Sequence, residues 1–361
     1  MKEKEVKFLK MNFIRKNILL MEPYKVGKQS SDEVIRLNSN ESPYPSPKFV
    51  IDAIYNELIK NNLNYYPDNQ ANSVRESASK VFGINKRKII IGNGSTSILQ
   101  TIFTTFLDKN DIATIVTPTF GLYEKLITIQ NAKVKKITYC EDNSLPFNRL
   151  LKVKTKILVL ANPNTPTGNA IPIEKIERLV EQSNNIVIID EAYSDFITDS
   201  TIPLVNKFDN LIVVKTLSKI HSLAGMRIGF GFSSSQIIEN LFKVMPVCNV
   251  NILSQVAAKS VFDNWDYFKL YLQEIKETRD DTISRLKKIG FEINQSSTNF
   301  ILVKVPKNFI TALEWKNKLE KNDILVRHFP NIFDDCLRIT IGTPSDMKKL
   351  INIMIKIRGC I

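Results

Sequence analysis

The sequence predicts an α/β protein with a large, mostly parallel sheet flanked by helices and a smaller α+β domain. Three observations carry that reading. Short runs of β-branched and other apolar residues alternate with helical patterns through the middle of the chain, the signature of βαβ units. Polar and glycine residues collect at the ends of those runs, where ligands bind in such sheets. After about Val261 the alternation gives way to a long charged helical pattern and then to mixed strands and helices.

In chain order, residues 88–92 read as a strand leading into Gly92-Asn93-Gly94, and 95–107 as the helix that follows. A strand at 112–116 precedes a helix at 119–130, and 133–139 alternates as a strand does. Residues 156–161 form an apolar strand, followed by a proline-rich turn at 162–168 and a helix at 172–183. Buried strands are expected at 186–190 and 211–215, with another at 227–232 after a polar loop. The last part predicts a helix at 265–289, strands at 300–305, 324–328 and 337–341, and helices at 310–320 and 345–357. These patterns divide the chain into an N-terminal arm at 1–45 that joins the small domain, a large domain at 46–262 and a small domain at 263–361.

Bulk properties narrow the function. At 361 residues and 43% hydrophobic content, the chain can bury two cores. No apolar run approaches the roughly 18 residues of a membrane span. The first twenty residues mix Lys, Glu and Phe and lack the apolar centre of a secretion signal, so an arm is expected there. Cys140, Cys248, Cys336 and Cys360 are far apart and form no CxxC pair, which points to a reducing compartment, the cytoplasm. With only His221 and His328, a histidine-rich metal site is excluded, and no metal is expected. The net charge of +13 favours anionic partners. The lysines are spread rather than blocked, and no zinc-finger or RNP-type motif occurs, so small phosphorylated or carboxylated ligands fit better than nucleic acid.

The chemistry centres on Lys219, in Val214-Lys215-Thr216-Leu217-Ser218-Lys219 through Arg227-Ile228-Gly229. An amine among hydroxyls, with an arginine eight residues on, suits a carbonyl cofactor that also carries a phosphate. Gly94, Ser95 and Thr96 lead from a strand into a helix, a start that offers N–H groups to an anion. Asp190 ends an apolar strand, where it either holds a protonated ring nitrogen or caps the next helix, with Tyr193 three residues on. The turn holding Asn164 and Thr165 is made rigid by Pro163 and Pro166. Arg327 and Arg338 fall in strands of the second domain and provide forks for carboxylate or phosphate.

Together these segments resemble the class I and II aminotransferases, pyridoxal-phosphate (PLP) enzymes of fold type I. The resemblance runs from about Tyr24 to Thr343. Its pieces are Leu37-Asn38-Ser39-Asn40-Glu41-Ser42-Pro43, Tyr66-Pro67-Asp68, Gly92-Asn93-Gly94-Ser95, Asp190-Glu191-Ala192-Tyr193, Ser218-Lys219 to Gly229, and Val326-Arg327 through Leu337-Arg338 to Thr343. Within the family the chain is most similar to enzymes taking the amino group from histidinol phosphate, with 2-oxoglutarate as acceptor. Aromatic-amino-acid aminotransferases and threonine-phosphate decarboxylases are the alternatives on the same fold.

The resemblance implies a role for each residue. Lys219 forms the Schiff base with PLP and later moves the proton. Asp190 pairs with the pyridine nitrogen, Tyr193 contacts the ring oxygen, and Phe120 stacks on the ring. Gly94, Ser95, Thr96, Ser218 and Arg227 hold the phosphate. Tyr66 reaches the cofactor of a second subunit, which implies a homodimer with shared sites. Tyr24, Asn40, Arg327 and Arg338 contact substrate, Arg338 through the carboxylate of glutamate. Two places depart from the family pattern. Thr165 stands where a second Asn contacts the ring oxygen, leaving that contact to the Thr165 hydroxyl or to Asn164. Thr96 and Ser97 replace the usual acidic pair after Ser95.

Overall fold

The computed structural model describes residues 13–24, 27–28, 34–142, 144–306 and 309–359. The first twelve residues of the expected arm, and Cys360, lie outside the described residues.

The described chain opens with a short helix, Lys16–Leu19, and a two-residue strand β1 (Ile35–Arg36). Helices Lys48–Ile59 and Asn72–Phe82 follow. Then come β2 (Ile89–Asn93), β3 (Ile112–Thr117), β4 (Lys133–Thr138), β5 (Ile157–Ala161), β6 (Ile186–Asp190), β7 (Leu211–Thr216) and β8 (Ile228–Phe232). These seven make one sheet in the order β2-β8-β7-β6-β5-β3-β4. Every neighbouring pair is parallel except the two that involve β8. The carboxyl ends of β2, β3, β5, β6 and β7 therefore share one edge, and the loop after β7 returns along that edge into β8.

The local sequence explains this sheet. Strands β5, β6 and β7 are built from Ile, Val and Leu and are buried along almost their whole length, as strands covered on both faces must be. The outermost strand β4 carries Lys133, Lys135 and Lys136, which keep an exposed edge from pairing with another chain. Helix Ser95–Phe106 packs on β2, β7 and β8, and helix Ser235–Val244 packs beside it. On the other face, Ile252–Asp263 packs against Lys48–Ile59 and Asn72–Phe82.

The second sheet has four strands in the order β12-β13-β10-β9, namely Arg327–Phe329, Phe333–Thr340, Phe300–Lys304 and Glu292–Ile293. All its pairs are antiparallel. β1 pairs in parallel with β11 (Ile324–Leu325), and Leu37 O accepts from Thr340 N–H at 2.9 Å, so the segment after β1 lies against this second unit. Helices Ala312–Glu320 and Pro344–Gly359 complete it. The former opens with a Thr311–Glu314 capping box, in which side chains satisfy two otherwise orphaned helix N–H groups.

Two expected elements divide. The helix expected at 265–289 begins as a 3₁₀ turn, Trp265–Tyr267, before the α-helix Phe268–Lys288, because the ring of Trp265 turns back onto Phe82 and Phe262. The strand expected at 324–328 serves two sheets. Ile324–Leu325 pairs with β1, and after Val326 the chain shifts to pair Arg327–Phe329 with β13. The helix expected from residue 119 begins at Leu122, after the Thr119–Gly121 turn. Among the described residues no helix is long and apolar enough to cross a membrane.

Candidate active site

A cleft of about 390 Å³ opens over the shared strand edge, between that edge and the second sheet. The size is ordinary for a small-molecule site. Lys219, Asp190, Tyr193, Ser95, Thr96, Phe120, Thr165, Ser218, Arg227, Tyr24, Asn40, Arg327 and Arg338 all line it. The exceptions among the expected residues are Gly94, Asn164 and Tyr66. Gly94 lies just behind the wall. Tyr66 is 90% exposed and away from the cleft of its own chain.

Asp190 sits at the end of β6, and its carboxylate is buried. Its Oδ2 accepts a 2.6 Å hydrogen bond from the Tyr123 hydroxyl, and its Oδ1 accepts from Ala192 N–H at 3.0 Å. Burial raises the Asp190 pKa above the usual carboxylate value, against these donors and the charge of Lys219. An acid left undercompensated in this way is suited to a cationic partner. Tyr123 is fully buried, and burial together with Asp190 keeps its phenol protonated well above the ordinary range, so it serves as a donor.

The Lys219 amine lies 5.5 Å above the Tyr193 ring and donates to the Ser39 carbonyl at 3.4 Å. The Tyr193 hydroxyl accepts from Asn40 Nδ2 at 2.8 Å, which leaves its own proton available to the cleft. Asn40 is held in turn by Thr340. Its N–H meets Thr340 Oγ1 at 3.0 Å, and its Oδ1 lies 3.1 Å from the same hydroxyl. Its φ of 55° is a left-handed conformation that Asn tolerates.

One end of the cleft gathers groups suited to an anion, from backbone and side chains together. Helix Ser95–Phe106 begins at Gly94 with φ 81°, and a Cβ on Gly94 would come within 2.5 Å of Arg227 Nη2. Gly229 in β8 presses on the same turn, since a Cβ there would lie 2.2 Å from Ser95 N. The helix N-terminus, the Ser95, Thr96 and Ser218 hydroxyls and the Arg227 guanidinium thus converge on one end of the cleft. Thr216 steadies Ser218, accepting from its N–H at 3.1 Å and lying 2.9 Å from its Oγ. These donors, with the amine of Lys219 and the acid of Asp190 on the same floor, fit PLP.

The structure distinguishes the two candidates in the proline-rich turn. Asn164 is buried, and its amide is bonded to Pro118 O, the Thr119 hydroxyl and the Thr167 hydroxyl at 2.8–2.9 Å. It holds the turn rather than facing the cleft, whereas the Thr165 side chain faces it.

At the other end, Arg327 and Arg338 are direct cross-strand partners on β12 and β13. Both guanidinium groups lie over the Phe329 ring, at 5.6 and 5.4 Å. Arg338 Nη2 donates to Asn38 O at 2.8 Å, and Nη1 lies 3.4 Å from Thr165 Oγ1. Its Nε is buried without a hydrogen-bond partner among the described residues. Burial, with Arg327 adding to it, lowers the Arg338 pKa, although a guanidinium remains charged in proteins. Tyr24 closes this end with its ring edge-on to Phe120 at 6.1 Å. Its phenol pKa is raised by burial, against the pull of the two arginines.

Sequence reasoning missed Tyr123, the Asn38 and Ser39 carbonyls, Phe329 and Thr340. Only Tyr123 had a usable signal, because it follows Phe120 by three residues and so falls on the same side of the turn leading into the helix.

The comparisons with known proteins agree with this geometry. The family model for aminotransferase class I and II matches residues 32–354. A histidinol-phosphate aminotransferase of Clostridium acetobutylicum is 34% identical over 355 residues, covering 97% of this chain and 99% of that protein. One from Rippkaea orientalis is 34% identical over 340 residues, covering 93% and 96%. Among solved structures, the histidinol-phosphate aminotransferase of Sinorhizobium meliloti in complex with pyridoxal-5'-phosphate superposes with a TM-score of 0.85 at 19% identity, covering 97% of this chain and 99% of that one. The fold, the convergent cleft and the match over nearly the whole length lead to one conclusion: the chain belongs to the class I and II aminotransferases, the PLP-dependent transaminases of fold type I.

Proposed function

We propose that the enzyme transfers the amino group of histidinol phosphate to 2-oxoglutarate, a step of histidine biosynthesis. The observation that carries the substrate choice is the Arg327–Arg338 pair. Like charges directly opposite on adjacent strands repel. Here they face the same cleft as Lys219, and Arg338 Nε is a buried donor without a hydrogen-bond partner among the described residues. Such a pair is stabilised by anionic ligands, a phosphate for one substrate and a carboxylate for the other. The names of the relatives at 34% identity support the same choice.

When bound, PLP supplies the aldehyde that captures the substrate amine and the ring that accepts the electron pair left by Cα–H loss. The chain's own residues do the rest. Lys219 would hold the cofactor aldehyde through its amine and, with that amine free, would move the proton at substrate Cα. Asp190 keeps a proton on the ring nitrogen. Tyr193 donates to the ring oxygen, with Thr165 beside it, and Phe120 covers the ring face. Gly94, Ser95, Thr96, Ser218 and Arg227 fix the phosphate. Arg338 takes the carboxylate of glutamate and 2-oxoglutarate, while Arg327, Tyr24 and Asn40 contact the amino donor.

The same reading makes the enzyme a cytoplasmic homodimer, with an arm at 1–45, a large domain at 46–262 and a small domain at 263–361. Tyr55, Ile59, Leu63 and Tyr65 are each exposed in the stretch of chain that leads to Tyr66, the residue expected to enter the partner's site. Single-turnover reactions of the PLP-loaded enzyme with histidinol phosphate, phenylalanine and threonine phosphate test the donor. Rapid loss of the yellow form with histidinol phosphate alone is expected. No conversion with it would reject this reading.

A further inference from the structure

A second group of charged side chains lies beneath the lysine loop, outside the cleft. Lys215 Nζ sits 2.8 Å from Asp195 Oδ1 and 2.8 Å from Ser194 Oγ. The two side chains are 4% and 13% exposed, while in each other ion pair among the described residues at least one side chain is 32% exposed or more. His221 completes the group. It is 1% exposed, with its ring 4.3 Å from Trp265 and 4.9 Å from Phe268. Its Nδ1 and the second oxygen of Asp195 have no hydrogen-bond partner among the described residues.

The positions of these residues are informative. Asp195 follows Tyr193 by two residues, and Lys215 and His221 bracket Lys219. A buried ion pair is a weak source of stability, because apolar residues of similar volume often serve as well or better. What the pair does provide is a fixed, directional distance between the turn after β6 and the end of β7. The cleft needs that distance, since Tyr193 stands on that turn and Lys219 on the loop after β7.

We propose that the Lys215–Asp195 pair is a positioning device that sets the Lys219 amine against the Tyr193 ring, with His221 wedging the lysine loop against Trp265 and Phe268. This rests on the reading of Lys219 and Tyr193 given above. Lys215→Met/Asp195→Asn removes both charges at nearly constant volume and leaves no lone buried ion. The midpoint of the pH titration of visible absorbance in the PLP-loaded enzyme, which reports the surroundings of the lysine nitrogen, is expected to move by about half a unit or more, with kcat falling roughly tenfold and KM nearly unchanged. An unchanged midpoint overturns the proposal whatever the kcat. Should the double variant not fold, Lys215→Arg, which keeps the pair but moves its donor, is read by the same midpoint with the same two outcomes. Borohydride reduction of the parent separates this proposal from the reading beneath it. If no cofactor is fixed on Lys219, both fall. If it is fixed there and the midpoint does not move, only the positioning role falls.

Discussion

The Tyr123 hydroxyl donates a 2.6 Å hydrogen bond to Asp190 Oδ2, while Ala192 N–H holds Oδ1 at 3.0 Å. The acid proposed to meet the cofactor nitrogen is therefore gripped on both oxygens. Tyr123→Phe removes one grip without changing the ring that packs against Phe120. Without that donor the buried carboxylate is held less firmly and its ionised form is less favoured, so the dissociation constant for PLP should rise by roughly tenfold. Equilibrium dialysis measures it. In an Asp190→Asn background the same change should have little further effect, and a full additive effect would show that Tyr123 acts elsewhere.

The two arginines should separate by substrate. Histidinol phosphate carries a phosphate and no carboxylate, whereas 2-oxoglutarate carries carboxylates only. Arg338→Lys loses the planar fork, and the half-reaction with 2-oxoglutarate should slow by about tenfold to a hundredfold while that with histidinol phosphate changes far less. Arg327→Gln should show the reverse order. Equal losses in both half-reactions for both variants would contradict the division of roles.

Gly229→Ala tests the phosphate cradle through backbone alone. The added Cβ would lie 2.2 Å from Ser95 N and 2.3 Å from Gly94 C, and neither is a flexible side-chain end. The helix start must move, so PLP retention on gel filtration should be lost while circular dichroism still shows the α/β fold. Retention at the parent's level would mean that the cradle tolerates the shift.

Stability should fall in mild acid because of His221. Burial lowers its pKa from 6.5 to about 4, with Asp195 opposing and Lys215 adding to the shift. The folded chain therefore binds fewer protons than the unfolded chain between those values. The stabilisation is full above pH 6.5 and is lost as the pH falls toward about 4. Urea unfolding should show a loss on the order of 2 kcal/mol between pH 8 and pH 5 from this group. His221→Phe should remove that part of the slope, and an unchanged slope would assign the acid sensitivity to other residues.

The strands were legible because β5, β6 and β7 are buried on both faces, which forces continuous apolar runs. The places of Asp190, Lys219 and Arg227 in the cleft were legible because Asp190 ends β6, Lys219 follows β7 and Arg227 precedes β8. Helices Lys48–Ile59, Asn72–Phe82, Phe147–Leu151, Ser235–Val244 and Ile252–Asp263 went unread. In the first, Ile51, Tyr55, Leu58 and Ile59 are exposed while Val50 is buried, so apolar residues occupy more than one face and the helical period is blurred. Tyr123 is a core residue whose polar tip meets a residue 67 positions away, and its spacing from Phe120 does not reveal that partner. Asn164 and Thr165 could not be ranked from sequence, since a turn's direction decides which side chain faces the ligand.

The central claim is that Lys219 carries the cofactor on a floor shared with Asp190 and Tyr193. Reduction of the PLP-loaded enzyme with borohydride, followed by proteolysis and mass spectrometry, tests it most directly. The reduced cofactor should appear on the peptide containing Lys219 and disappear in Lys219→Ala. Label on another lysine, or none on a yellow parent protein, would contradict it.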